Sequence, residues 1–366
     1  MDNLQILLWN ANGLRSRKLE LETFLQCEKI DVALITETHC TQQYFIPSNR
    51  NYDVIYAFHP SGRAQGGAAI YIKKSLQYSL DLSYTSLQFQ LCAIRLAING
   101  RNLSLASLYC PPSCKTDSVD FDILFQRLSG QWLVGGDYNA KYSIWGSRLI
   151  ISRGREPAKV LQQRNYEAIS NGEPTYWPSD RRKIPDVIDF FVSNQIHRQQ
   201  CHITTLADLN SDHTPVKLTL AISPLLHEYP LSLVNRFTDW DLYRDHIEAA
   251  TCHHVPIRTS TDLDTAVQKF THTLQTAACF STPSSSAHGT SSVIVAPTAL
   301  LRRRRQARKR WQRVRSESAS REYRRCNELV HRELRKSRNI EFQSFMSTLS
   351  PHPDTDYSLW RATKKF

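Results

Sequence analysis

This chain of 366 residues has few cysteines. Its nine cysteines, Cys27, Cys40, Cys92, Cys110, Cys114, Cys201, Cys252, Cys279 and Cys326, include no Cys-x-x-Cys. An odd count without such spacing argues against a structural zinc site and a disulfide framework, and points to a reducing compartment. Cys252-His253-His254 offers adjacent ligands but no second pair nearby, so it reads as incidental. No apolar run approaches the length of a membrane span, and the start MDNLQILLWN has neither the basic flank nor the apolar stretch of a signal peptide. A soluble, intracellular chain with no membrane partner is therefore expected. Glycine and proline are both absent from Thr298 to Ser350, which removes the usual helix breakers and predicts one long helix or a pair there.

What is there is unevenly distributed. Hydrophobic residues make up 41% of the chain, enough for a sizeable core, and the net charge is +12. Between Arg302 and Arg338 stand sixteen Lys or Arg against four Asp or Glu, so this one segment carries the whole excess. From Leu4 to Ile222 short apolar runs alternate with loops and helix-like segments. Leu4–Asn10, Asp31–Glu37, Gly67–Lys73, Phe89–Ile98, Leu103–Tyr109, Trp132–Asp137, Val187–Val192 and Val216–Ile222 read as strands. Lys18–Glu28, Phe121–Leu128 and Glu156–Ser170 have helical spacing. Many strands and few intervening helices predict an α/β sandwich, with packed sheets inside and helices outside. Beyond it, Trp240–Thr276 has helical spacing, and Ser281–Ser292 is a Ser/Thr-rich linker by composition. The expected division is 1–223, 224–297 and 298–366.

Polar residues recur where apolar strands end. Asn10 and Asn12 follow the first strand, Glu37 the second, Asp137 and Asn139 a later one, and Asp189 sits between Ile188 and Phe190. Each alone reads best as a cap or turn residue. Six in one chain, each after an apolar run, point to a shared rim. A carboxylate flanked by apolar residues in a strand faces solvent or needs a buried partner. His213, in Ser211-Asp212-His213 just before the last strand, is the natural partner for Asp189. Such a pair fixes the imidazole tautomer and favours its charged form, suiting general-base work or stabilisation of an anionic phosphorus centre. Glu37 with the two asparagines and Asp212 supplies hard oxygen and amide ligands without thiolates, a set suited to Mg²⁺. Asp137 and Asn139 on a glycine-preceded turn could orient and deprotonate water, so a metal-assisted phosphodiester hydrolase is expected.

Six motifs in order carry a resemblance: Trp9-Asn-Ala-Asn-Gly-Leu-Arg15, Thr36-Glu-Thr-His39, Leu108-Tyr-Cys-Pro-Pro112, Gly135-Gly-Asp-Tyr-Asn-Ala-Lys141, Ile188-Asp-Phe-Phe191 and Ser211-Asp-His213. Together they resemble the exonuclease III/apurinic endonuclease/DNase I superfamily over roughly residues 4–222. Trp145-Gly-Ser-Arg148, Arg153-Gly-Arg155, Gly172-Glu-Pro-Thr-Tyr-Trp-Pro-Ser-Asp180 and Lys183-Ile-Pro-Asp186 make the chain look like the endonuclease of a jockey-type non-LTR retrotransposon. Arg308-Lys-Arg-Trp311 and Ser358-Leu-Trp-Arg-Ala-Thr-Lys-Lys365 resemble the connector before the reverse transcriptase of such elements. No Asp-Asp doublet is present, so the polymerase motif, and with it reverse transcriptase, is expected to lie outside this chain.

The resemblance implies a four-layered α/β/β/α sandwich (DNase I-like), followed by a mostly helical, basic C-terminal segment. It implies Glu37 as the main ligand of Mg²⁺ (or Mn²⁺), with Asn10, Asn12 and Asp212 beside it. Tyr109 would contact the scissile phosphate, Asp137 would activate water or protonate the leaving oxygen with Asn139 positioning it, and Asp189 would pair with His213. The His213 ring should then face Asp189, with Asp212 turned to the metal side. Thr175 and Ser211 are weaker substrate-contact candidates. Asn12 stands where repair members carry a carboxylate, Tyr138 replaces a usual Phe, and Ser152 a usual Pro. The loop before Asp189 resembles a minor-groove-probing hairpin, for which Arg181, Arg182 and Lys183 suit the negative potential.

The expected activity is nicking of double-stranded DNA to give a 3′-hydroxyl primer for target-primed reverse transcription. The rivals are an apurinic repair endonuclease and an inactive nucleic-acid-binding fragment. The basic segment is expected to bind phosphates, including those of element RNA, without reading sequence. Arg302-Arg-Arg-Arg-Gln-Ala-Arg-Lys-Arg310 also fits a nuclear-import signal, giving the nucleus as the site of action.

Overall fold

The computed structural model describes residues 3–98, 100–227, 233–234, 238–250, 257–282 and 297–347. Cys252-His253-His254, the linker from 283 to 292 and the Ser358–Lys365 motif lie outside the described residues. In chain order the strands are β1 Leu4–Asn10, β2 Val32–Thr36, β3 Tyr52–Ala57, β4 Ala68–Lys73, β5 Tyr78–Thr85, β6 Gln90–Ile98, β7 Arg101–Tyr109, β8 Gln131–Asp137, β9 Glu167–Ile169, β10 Asp189–Ser193, β11 Cys201–Thr205 and β12 Val216–Leu220. The α-helices are α1 Lys18–Cys27, α2 Ser118–Gln126, α3 Ser152–Arg164, α4 Trp240–Ala250, α5 Ser260–Ser281, α6 Thr298–Val314 and α7 Glu317–Ser347. Helix α3 stops earlier than its spacing predicts. Asn165 takes a left-handed cap at φ 55°, and the next residues pair with β10 as β9. Apolar pattern did not single out β3, β5 or β11, and all three are edge strands, partly open to solvent.

Two six-stranded sheets run in the orders β11-β12-β1-β2-β4-β3 and β5-β6-β7-β8-β10-β9. Alternation along β1 shows why both faces are covered. Leu4, Ile6 and Leu8 point into a core shared with Ile94, Leu105, Leu133 and Phe191 of the second sheet. Leu7 and Trp9 point the other way, against Leu21, Phe24 and Leu25 of α1. The far face of the second sheet, with Leu108, Val134 and Phe190, is covered by Phe121, Leu124 and Phe125 of α2 and by Val160 and Leu161 of α3. The result is the four-layered α/β/β/α order. Each fully buried Leu, Ile or Phe contributes about 1.5–3 kcal/mol.

The chain forms two bodies, one of Met1–His227 with Val293–Phe366 and one of Glu228–Ser292. The smaller holds the antiparallel-packed α4 and α5, with Asp239 N–H donating to Ser281 O at 2.8 Å and the His246 and Phe280 rings stacked at 5.1 Å. Thr259 and Asp262 form a capping box at the start of α5. In the larger body, α6 and α7 form a helical hairpin turned at Arg315, whose φ is 56°. Val330 and Leu334 of α7 pack with Leu300 and Leu301 of α6 and with Leu19 of α1. The basic segment is thus folded onto the sandwich. Among the described residues no helix is long and apolar enough to cross a membrane.

Candidate active site

Strand direction brings the polar strand ends to one rim. β1 and β2 are parallel and β12 is antiparallel to β1, so the ends of β1 and β2 and the start of β12 share one end of the first sheet. In the second sheet β7 and β8 are parallel and β10 is antiparallel to β8. Tyr109 therefore lies in register with Asp137, and Asp137 with Asp189. Because the sheets are stacked, Asn10 Nδ2 crosses between them to donate to Asp137 Oδ2 at 2.8 Å. Asn139 holds the same carboxylate through its side-chain amide at 3.0 Å and its backbone N–H at 3.0 Å.

Beside it, His213 Nδ1 is 2.8 Å from Asp189 Oδ2, with both side chains buried. Asp212 turns the other way and accepts from Asn12 Nδ2 at 3.0 Å. Asn12, Glu37 and Asn139 all take left-handed backbone, at φ 43°, 48° and 48°. That conformation is tolerable for Asn but costs a Glu of order 1–3 kcal/mol. The turn directs Glu37 back over the strand ends, near Asn10 and His39. Gly66, at φ +53°, lets its loop lie on Tyr109; a Cβ there would meet Gln90 Oε1 at 2.8 Å and the Tyr109 ring at 3.0 Å.

Electrostatics separate the roles. Burial works to raise the Glu37 carboxyl, but hydrogen bonds from His39 and Asn10, with His213 nearby, hold it below its ordinary value, so it is ionised. Burial drives Asp137 well above the usual carboxylate range, and neighbouring Asp189 adds to the shift. Burial alone would lower His213, yet Asp189, Asp137 and Asp212 outweigh it and push the imidazole up to about 10. Burial, then Glu37 and Asp137, raise Tyr109, which stays a neutral hydroxyl.

Two acid groups could hold a metal. Ligand atoms of Asp137, Asp189 and His213 lie within 4.8 Å of one another, but an imidazole kept protonated by Asp189 is a proton donor and offers no lone pair. Glu37 with Asn10, Asn12 and Asp212 is the better hard-oxygen set. Four carboxylates, Glu37, Asp137, Asp189 and Asp212, crowd this rim, and Asp189 Oδ1 is buried without a hydrogen-bond partner. That excess of negative charge fits a divalent cation.

Not every expected residue faces the rim. Thr175 is 1% exposed. Its Oγ1 accepts from the Ile188 and Asp189 N–H groups at 3.1 Å each, and its carbonyl accepts from Thr214 N–H at 2.6 Å. Ser211 Oγ accepts from His213 N–H at 3.1 Å and donates to Asp212 Oδ1 at 3.2 Å. Both hydroxyls brace the scaffold under Asp189 and His213, and Ser211 also lines the cavity beside Asp212. Arg181, Arg182 and Lys183 are exposed; Arg182 pairs with Asp180, and Arg181 approaches Glu317 of α7 at 3.5 Å.

Several neighbours were missed by sequence reasoning. The Tyr176 ring lies 5.0 Å from that of His213. Asp186 is buried, pairs with Lys141 at 3.2 Å and accepts from Arg148 N–H at 2.9 Å. Arg17 donates to the carbonyls of Asn12, Gly13 and Asn210. No local signal marks these, although Lys141, Arg148, Tyr176 and Asp186 fall inside conspicuous motifs. A cavity of about 280 Å³ opens beside Asn12 and Asp212, and its other walls include Trp177, Trp311, Tyr323 and Arg324. The helical hairpin therefore forms one side of the candidate site.

Comparison with known proteins agrees with this geometry. The Endonuclease/Exonuclease/phosphatase family matches residues 7–213. The RNA-directed DNA polymerase from mobile element jockey of Drosophila melanogaster is 30% identical over 369 residues, covering 99% of this chain and 40% of that protein. The probable RNA-directed DNA polymerase from transposon X-element of the same organism is 28% identical over 365 residues, again covering 99% of this chain and 40% of that protein. The chain thus spans about two-fifths of the length of the curated relatives it matches. Among solved structures, the endonuclease domain of TRAS1, a telomere-specific non-LTR retrotransposon, aligns with a TM-score of 0.50 at 19% identity, covering 60% of this chain and 98% of that one. At that identity the likeness speaks for the fold.

Proposed function

This chain belongs to the endonuclease/exonuclease/phosphatase family, and from that premise we propose that it is a Mg²⁺-dependent endonuclease that nicks double-stranded DNA, leaving a 3′-hydroxyl. The carrying observation is the meeting of the Asn10–Asp137–Asn139 group with the Asp189–His213 pair at one rim. Glu37, with Asn10, Asn12 and Asp212, would hold Mg²⁺, or Mn²⁺, which supplies charge neutralisation to the phosphate when bound. Asp137, fixed by two asparagines and raised by burial, accepts the proton of the attacking water. The water oxygen bonds to phosphorus as the P–O3′ bond breaks, and the 3′ oxygen takes a proton from solvent. Protonated His213 and neutral Tyr109 donate to the phosphate oxygens, stabilising the charge that grows there. Arg181, Arg182 and Lys183 would meet the minor groove.

The jockey-like relatives favour a role in priming reverse transcription, with a partner polymerase outside the matched region. Exposed arginines of α6 and α7 would bind nucleic-acid phosphates, element RNA included, and the same cluster would serve nuclear import. The test is supercoiled plasmid with Mg²⁺ or EDTA beside an abasic duplex. Metal-dependent nicks carrying 3′-hydroxyls on intact plasmid are expected. Cleavage confined to the abasic duplex would turn the reading to repair, and no cleavage of either would leave only nucleic-acid binding.

A further inference from the structure

Arg308 begins the connector-like Arg308-Lys-Arg-Trp311 and lies on the most basic helix of the chain, yet it is 1% exposed. Its guanidinium points into the loop that carries Asp212 and His213. Nη1 donates to the carbonyls of Asp208 and Leu209, and Nη2 to those of Ser211 at 3.1 Å and His213 at 3.0 Å. Only Nε has no partner, so four of the five N–H donors of the fork converge on one six-residue loop. The loop needs such a filling. Leu209 is left-handed, at φ 50°, and the carbonyl oxygens turn inward, where unpaired they would repel one another in a dry site.

Three neighbours hold the fork in place. Tyr323 of α7 lies under the Arg308 guanidinium at 5.8 Å and donates its hydroxyl to Asn210 Oδ1 at 3.3 Å. Trp311 stacks on Tyr323 at 5.8 Å. Gln312 donates to Thr214 Oγ1 at 3.2 Å, next to His213.

We infer that Arg308 is a positioning residue of the active site: its guanidinium clasps the 208–213 loop so that His213 stays on Asp189 and Asp212 stays on the metal side. The basic hairpin is thereby part of the catalytic apparatus as well as a surface for phosphates. The catalytic half of this statement rests on the nuclease reading; the clasp itself does not. Lysine has the charge but not the planar fork, so it can satisfy only part of the loop.

The test compares full-length wild type with Arg308→Ala, Arg308→Lys and Tyr323→Phe by two readouts: hydrogen exchange of the 206–214 backbone against that of β7, and single-turnover plasmid nicking with Mg²⁺. In Arg308→Ala, exchange across 206–214 should rise roughly tenfold or more while β7 stays protected. Its nicking rate should fall roughly 10- to 100-fold at saturating DNA, with the half-saturating DNA concentration within about threefold of wild type. Arg308→Lys should recover part of both changes. Tyr323→Phe should move both in the same direction by a smaller factor, and with Arg308→Lys it carries the test if Arg308→Ala fails to fold. Unchanged exchange and rate in the variants that fold would overturn the inference, as would a pure loss of DNA affinity. If wild type nicks nothing, the nuclease reading falls, and the exchange comparison alone decides the clasp.

Discussion

The strand-end rim and the basic hairpin are both dense in charge, yet they use it in opposite ways. At the rim, charge is concentrated by burial: Asp137 and Asp189 are enclosed and can persist only because Asn10, Asn139 and His213 hold them. Along the hairpin, charge is sorted by face. Arg304 and Arg308 are buried against Glu20, Asp208 and loop carbonyls, while Arg302, Arg303 and Lys309 stay exposed one or two residues away. A basic run is therefore two things in one helix, a buried side that pairs with the sandwich and an exposed cationic side. Net charge identifies neither role until the covered face is known.

The largest expected effect breaks the rim. Asp189→Asn removes the charge that keeps His213 protonated and should cut plasmid nicking by roughly 10²–10⁴-fold with the fold retained by circular dichroism. An undiminished rate would deny the pair its role. Next, Arg304→Ala strikes the hairpin's buried side. It leaves Glu20 enclosed with weaker partners and should lower unfolding free energy by roughly 3–5 kcal/mol in a denaturant titration. A change under about 0.5 kcal/mol would class Arg304 with the surface arginines.

A pH series sharpens the contrast. His213 has a folded value raised to about 10, so its contribution is complete below its unfolded value of about 6.5 and is lost as pH rises toward 10. The denaturation midpoint of wild type should fall across that window more than that of Asp189→Asn. Parallel curves would mean the pair contributes no linked stability. The smallest effect belongs to the exposed side. Alanine at Arg302, Arg303 and Arg313 together should shift stability by no more than about 0.5 kcal/mol each. The salt dependence of DNA or RNA binding should flatten by about 0.9 per lost duplex contact, and an unchanged slope would remove those residues from the phosphate surface.

Much of this was legible along the chain. Apolar runs, several of them alternating, located eight of the twelve strands among the described residues, since a strand buried on both faces has little freedom in composition. The six motifs named residues that the two sheets bring together because polar groups at strand ends have only the rim to occupy. The ends of elements were harder to read. Helical spacing carried on through Glu167–Ile169, where β9 pairs with β10, because sheet pairing outweighs a weak local preference. Local sequence likewise does not announce that the Thr175 and Ser211 hydroxyls engage backbone N–H groups and Asp212.

The layered sandwich and the identity of its polar rim can be read from residues alone, because both follow from local alternation and from chemistry written into consecutive positions. The use of the basic helices cannot, and it emerges only when the chain is folded. Arg304 and Arg308 read no differently from Arg302 and Arg303 in the chain. Which of them is buried depends on the face that α1 and the 208–213 loop cover, and those partners lie about a hundred or more residues away.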